Sequence, residues 1–218
     1  MERYKGSLSQ IELKPLPERT LQLAGISATT IKEHYKLYEG YVRKVNEVRG
    51  KLARVDLAAA NPTYSEYRAL KRGETFALNA VKLHELYFEQ LGGKGGKPGS
   101  RILEMIKRDF GSYEAWMDRF RAAGKAARGW AILAYDQDYR HLFNFITDSQ
   151  HDGNVLQATV ILPMDVYEHS YFIDYGTNRE GYIDAFFANL DWSVVNRRIM
   201  EVQPRRPILK LFSRWIVQ

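Results

Sequence analysis

Ala158-Thr159-Val160-Ile161-Leu162-Pro163-Met164, followed by Asp165-Val166-Tyr167-Glu168-His169, is the stretch on which the fold turns. A short apolar run of this kind reads as a buried strand. At its end a carboxylate and an imidazole stand four residues apart, where the chain leaves the core. Upstream, residues 130–135 and 141–146 read as two strands joined across Asp136-Gln137-Asp138, a turn-forming segment, and so as a hairpin. Residues 102–110 and 113–123 are expected as helices, and helical spacing returns over 182–190 and 194–202. Further upstream, Ser27-Ala28-Thr29-Thr30 offers a side-chain cap to a helix carrying Ile31, Tyr35, Tyr38, Tyr41, Val42 and Val45 and ending near Gly50. A second long helix is expected from about Tyr64, with Leu70, Phe76, Leu83, Tyr87 and Phe88. The run Gly92-Gly93-Lys94-Gly95-Gly96-Lys97-Pro98-Gly99 stops it and reads as a flexible linker. It carries no Gly-Lys-Ser/Thr signature and no strand precedes it, so a phosphate cradle is set aside. The expected class is α+β: an N-terminal antiparallel helical hairpin (1–93), then a three-stranded antiparallel sheet flanked by helices (94–218).

A chain of 218 residues with 45% hydrophobic content can bury a substantial core. Its apolar runs fall well short of the roughly 20 residues of a membrane span, and the start Met-Glu-Arg-Tyr-Lys lacks an apolar leader, so a cytoplasmic protein is expected. There is no cysteine, which excludes disulfides, thiolate metal sites and cysteine nucleophiles. A metal would have to be held by nitrogen and oxygen. The net charge of +6 suits nucleic acid, a membrane surface or a small anion equally, and does not choose among them.

Five histidines are present. One alone on a helix is ordinarily a satisfied core or surface residue, but Asp165 and His169 arrive together at a strand end. Imidazole and carboxylate without thiolate favour first-row metals such as iron, manganese or zinc, and an incomplete protein shell leaves a position for solvent or substrate. Two further histidines would complete a cage.

The run from Asp165 through Ser170-Tyr171-Phe172-Ile173-Asp174-Tyr175 closely resembles the metal-binding signature of the iron/manganese superoxide dismutases, with Tyr167 where that family has tryptophan. The likeness continues through Asn178-Arg179, Tyr182-Ile183, Ala185-Phe186 and Asp191-Trp192, and back through Gly129-Trp130-Ala131 and Leu133. Ile26-Ser27-Ala28, Thr30-Ile31 and His34-Tyr35 resemble the first ligand helix, while Phe76, His84 and Tyr87-Phe88 resemble the second. The resemblance spans roughly residues 11–200 and implies that His34, His84, Asp165 and His169 hold one iron or manganese ion, with a lean to iron.

Some positions depart from the family pattern. Between His34 and Tyr41 there are seven steps where the family has eight, yet seven residues are near two turns, so Tyr41 still lies on the His34 face. With the gap after Tyr35, Leu37 stands for a funnel histidine and Phe172 for the tyrosine that bonds it across the dimer; losing both polar partners together is close to neutral. The family supplies a glutamine toward solvent at the metal. On the second helix that position is Ala80, which has no side-chain donor; from the sheet it is Gln150-His151-Asp152, with His151 the better aligned candidate and Gln150 beside it. His141 has no such match and reads as a strand or turn residue.

The implied reaction converts superoxide to dioxygen and hydrogen peroxide, with His151 and Tyr41 delivering protons and Arg179 and the basic surface drawing in the anion. Glu168 is implied to bond the ligand histidine of a neighbouring subunit, making a homodimer, with a tetramer as the larger alternative. Neither a nucleic-acid partner nor stable membrane association is expected. Two other readings fit the composition: a basic binding or structural module with 14 tyrosines that takes up RNA, and a metal-dependent oxygenase or hydrolase. Beyond the resemblance, Pro204-Arg205-Arg206-Pro207 precedes an amphipathic pattern with Ile208, Leu211, Phe212, Trp215 and Ile216 on one stripe, expected to dock on its own domain or the partner subunit rather than on an anionic membrane.

Overall fold

The computed structural model describes residues 10–202. The amphipathic pattern over 208–216 lies outside the described residues. Helix α1 (Ala28–Leu52) starts where Ser27 Oγ accepts the Thr30 amide at 3.1 Å, and it buries Ile31, His34, Tyr38, Val42, Val45 and Val48 at three- and four-residue steps. Helix α2 (Glu66–Glu89) starts at Ser65, whose Oγ accepts from Arg68, so the expected start at Tyr64 moves inward by two residues because the serine, not the tyrosine, can cap. The helices run antiparallel: Arg49 pairs with Glu74 near one end, and the Tyr38 hydroxyl meets Glu85 near the other.

Helices α3 (Ser100–Phe110) and α4 (Tyr113–Ala126) lead into the sheet. Strands β1 (Trp130–Asp136), β2 (Leu142–Thr147) and β3 (Ala158–Asp165) are antiparallel in the order β2-β1-β3. The central strand β1 is buried on both faces from Trp130 to Tyr135, which explains its continuous apolar run. The register sets Trp130 opposite both Thr147 and Asp165, and a bulge between Leu133 and Ala134 shifts the pairing with β3. The hairpin turn extends to Arg140, at φ 60°, with the Asp136 carboxylate accepting the amides of Asp138 and Tyr139. His141 lies between that turn and β2, its carbonyl accepting the Asp136 amide at 2.9 Å. Short helix α5 (Phe172–Tyr175), α6 (Arg179–Ala188) and α7 (Trp192–Glu201) complete the described chain.

The glycine run is not a loose tether. Amides of Gly92 and Gly93 both donate to Asn189 O at 3.0 Å, and that of Gly95 to Leu190 O at 3.1 Å. A Cβ on Gly93 would strike the Leu190 carbonyl and the backbone of Asp191, so the close approach demands glycine. One apolar cluster joins the hairpin (Ile31, Tyr38, Tyr87) to the sheet (Trp130, Ile132, Leu162) and to α6 (Tyr182, Phe186). Packed this way, the buried faces of α1 and α2 look onto the C-terminal end of β3.

Candidate metal centre

His34 comes from α1, His84 from α2, Asp165 from the last position of β3, and His169 from a single 3-10 turn (Glu168–Ser170). One ligand atom from each lies within 4.8 Å of all the others. Three imidazole nitrogens converge on one carboxylate oxygen, Asp165 Oδ2, with Nε2 of His34 at 3.1 Å, of His169 at 3.2 Å and of His84 at 3.7 Å. His34, His84 and Asp165 are completely buried, whereas the His169 side chain retains 27% of its exposure, so the site opens beside His169.

Asp165 and His84 are held from behind. Asp165 Oδ1 accepts the Tyr167 amide at 2.9 Å, while its backbone carbonyl accepts the Tyr182 and Ser170 hydroxyls at 2.6 and 3.0 Å. His84 Nδ1 lies 2.7 Å from the carbonyl of Ala80, one turn earlier. A carbonyl can only accept, so Nδ1 carries the ring proton and the Nε2 lone pair faces the centre. The buried His84 Nε2 has no hydrogen-bond partner. An acceptor lone pair aimed at a carboxylate oxygen is repulsive, and a cation between them turns the contact into attraction. This arrangement, with three nitrogens and one oxygen and no sulfur, fits a first-row transition metal.

Electrostatics point the same way. Burial pushes His84 down to about 3, and it also lowers His34 against the pull of Asp165, so both rings stay neutral and able to ligate. Burial would raise Asp165, but the His169 and His34 rings outweigh it and hold the carboxyl below its usual range. Burial would likewise lower His169, and the Asp165 charge overrides it, leaving that histidine raised.

Around this core stand Tyr41, whose ring centroid is 5.5 Å from that of His84, and Gln150, which is 1% exposed. Gln150 Oε1 accepts the indole N–H of Trp130 at 2.9 Å, which leaves its amide N–H to donate to the Tyr41 hydroxyl. Burial, followed by the Asp165 charge, raises the Tyr41 pKa against that hydrogen bond. His151, the next residue, sits on the outer rim: its ring is 5.4 Å from Phe76 and its Nδ1 is 3.2 Å from Ser149 Oγ. Glu168 is exposed at the surface. Arg179 is committed elsewhere, donating to the carbonyls of Ala127 and Lys125 at 2.8 and 3.2 Å and to the Tyr171 hydroxyl at 3.2 Å. Tyr167 stacks on His169 at 5.2 Å.

Sequence reasoning did not single out Trp130 as the anchor of Gln150, nor Tyr182 and Tyr87, whose hydroxyls meet at 3.1 Å behind Asp165. The one-turn spacing of Ala80 and His84 was the available signal for the carbonyl that orients His84.

The fold and site together define an α+β protein with a buried cluster of three histidines and one aspartate that could hold a single metal ion. The family profile described as "Iron/manganese superoxide dismutases, C-terminal domain" matches residues 98–198. Over 196 residues the chain is 42% identical to "Superoxide dismutase [Fe]" of Aquifex pyrophilus, covering 87% of this chain and 92% of that protein. It is 39% identical over 186 residues to "Superoxide dismutase [Fe]" of Cupriavidus metallidurans (83% and 92% covered), and 37% identical over 188 residues to "Superoxide dismutase [Mn] 1" of Haloferax volcanii (85% and 92%). The chain belongs to the iron/manganese superoxide dismutase family.

Proposed function

We propose that this protein converts superoxide to dioxygen and hydrogen peroxide with one iron or manganese ion held by His34, His84, Asp165 and His169. The observation that carries the reading is the convergence of three Nε2 atoms on Asp165 Oδ2, one of them a buried lone pair without a partner. Once bound there, the metal would supply the one-electron redox chemistry that the reaction needs. The rest falls to the protein. Asp165 contributes the anionic ligand, held in orientation by Tyr167 N–H. Tyr41 and Gln150, linked to each other with Gln150 anchored on Trp130, pass protons to the product. Gln150 takes the inner position in this relay and His151 the outer one, near the rim. Arg179 and the +6 net charge contribute a field that draws in a small anion.

Among relatives matched over more than four fifths of this chain, those at 42% and 39% identity are named for iron and those at 38% and 37% for manganese, while a shorter match at 45% is named for manganese; with no side-chain donor at Ala80, iron is the proposed resident metal and manganese an accepted substitute. The proposed assembly is a homodimer or a tetramer of such dimers. Leu37, Phe172 and Ile173 are 39%, 49% and 55% exposed, apolar side chains suited to a contact with a second copy, in which Glu168 reaches the partner's ligand histidine. A helical half (1–93) and an α/β half (94–218), a cytoplasmic location and the absence of nucleic-acid or stable membrane partners belong to the same reading. Among the described residues no helix is long and apolar enough to cross a membrane.

Metal analysis by mass spectrometry alongside a superoxide-disappearance assay on one preparation tests the reading. Near-stoichiometric iron or manganese with activity supports it, and His84→Ala is expected to remove most metal and activity together. Substoichiometric metal with tight RNA binding would replace it with the binding-module reading.

A further inference from the structure

Outside the metal centre, a cleft of about 400 Å³ opens between the N-terminal segment, α1 and α2, with Pro15, Pro17, Tyr35, Tyr38, Leu86 and Phe88 along its walls. Its rim bears Lys14, Lys82, Glu85 and Glu89. The cleft is not remote from the site: the Phe88 ring lies 5.1 Å from that of His34 and 6.3 Å from that of His84, so its inner wall is the outer backing of two ligands.

Glu89 also locates the cleft relative to the last described helix. Its carboxylate pairs with Arg197 and, at 2.8 Å, with Arg198, both on α7, which ends at Glu201. The chain therefore runs on past Val202 from within a few residues of the cleft rim. The next five residues, 203–207, can span up to roughly 17 Å. The pattern Ile208, Leu211, Phe212, Trp215 and Ile216 then supplies apolar side chains at three- and four-residue spacing. Residues 1–9, the other segment within reach, are mostly polar and have no such stripe.

We propose that the segment 208–216 docks its apolar stripe, led by Phe212 and Trp215, into the cleft formed by Pro15, Pro17, Tyr35, Tyr38, Leu86 and Phe88 of the same chain. Docking covers the half-buried Tyr35 and Leu86 beside the already buried Phe88, and so buttresses from outside the ring that backs the two histidines. The benefit to metal retention rests on the metal-site reading; the docking itself does not.

Because the chain has no cysteine, a pair can be introduced without background. Lys82→Cys with Ser213→Cys in the full-length, metal-loaded protein, treated with a short bismaleimide and read by mass spectrometry, is expected to give an intrachain link in most molecules. A link found only between chains, or none, overturns the proposal. Truncation after Val202 is expected to speed metal release to a chelator roughly tenfold, the scale on which supporting contacts act on metal sites. The full-length double variant Phe212→Ser, Trp215→Ser reads the same quantity should truncation compromise folding. An unchanged release rate overturns the supporting role. Absence of the intrachain link together with tail-dependent binding to anionic vesicles would overturn docking and assign the stripe to a membrane surface.

Discussion

Replacing Arg198 by methionine tests how the halves of the metal site are held in register. Arg198 is 7% exposed on α7 and donates four hydrogen bonds: Nη1 to Gln90 Oε1 at 2.9 Å and Ile161 O at 3.0 Å, Nη2 to Leu86 O at 2.7 Å and Glu89 Oε2 at 2.8 Å. Leu86 lies two residues past His84, and Ile161 lies four before Asp165. Gln90 itself donates to Pro163 O at 2.5 Å, two residues before Asp165. The guanidinium thus ties the end of α2 to β3, the two elements that deliver His84 and Asp165. Methionine keeps most of the apolar stem but strands the Ile161 carbonyl and Gln90 Oε1. A stranded buried polar group costs about 1–3 kcal/mol, and breaking a buried ion pair about 3–5 kcal/mol. Since Glu89 keeps 43% side-chain exposure and can turn to water, we expect a total near the lower pair value, about 3–4 kcal/mol. At roughly 2–4 °C per kcal/mol for a chain of this size, the melting temperature should fall by about 6–16 °C. Calorimetry of the metal-loaded protein measures it. A fall below about 2 °C would refute the view that these bonds carry the register, and Arg198→Lys, which can replace only part of the fork, should land between.

Three further outcomes are expected. Gln150→Ala removes the link between Trp130 and Tyr41 and should lower superoxide turnover roughly 10–100-fold with metal content retained, whereas His151→Ala should have the smaller effect; equal effects in steady-state kinetics would refute the inner and outer assignment. Burial raises Tyr38, Tyr113 and Tyr167 from 10.0 to about 12, so the unfolded chain ionises first as pH rises; stability should be fully present below pH 10 and decline from there toward 12 in denaturant titrations, and Tyr38→Phe should lessen the slope. Gly93→Ala should cost about 1–3 kcal/mol, since its Cβ meets the backbone of Leu190 and Asp191, and a wild-type urea midpoint would contradict that packing.

Much of this was legible in the residues alone, because the relevant forces are local. Helical spacing, with the Ser27 cap for α1, located α1 and α2 to within about two residues, and the unbroken apolar runs of β1 and β3 followed from burial in a sheet. The ligand types were legible from the lack of cysteine and from Asp165 and His169 at a strand end. What the residues could not convey depended on contacts made at long range. The glycine run reads as flexible by composition, yet the carbonyls of Asn189 and Leu190, about a hundred positions away, tie it down. Gln150 and His151 are neighbours past the end of β2, where strand alternation no longer says which side chain points inward. The indole N–H of Trp130 settles it by offering a buried donor that only the amide of Gln150 reaches, leaving His151 at the rim against Phe76. The sequence offered Asp165 and His169 by their spacing at a strand end, and His34 and His84 through the family resemblance; only the packing of α1, α2 and β3 around one core determined that their lone pairs meet at a point, because convergence is a property of three dimensions.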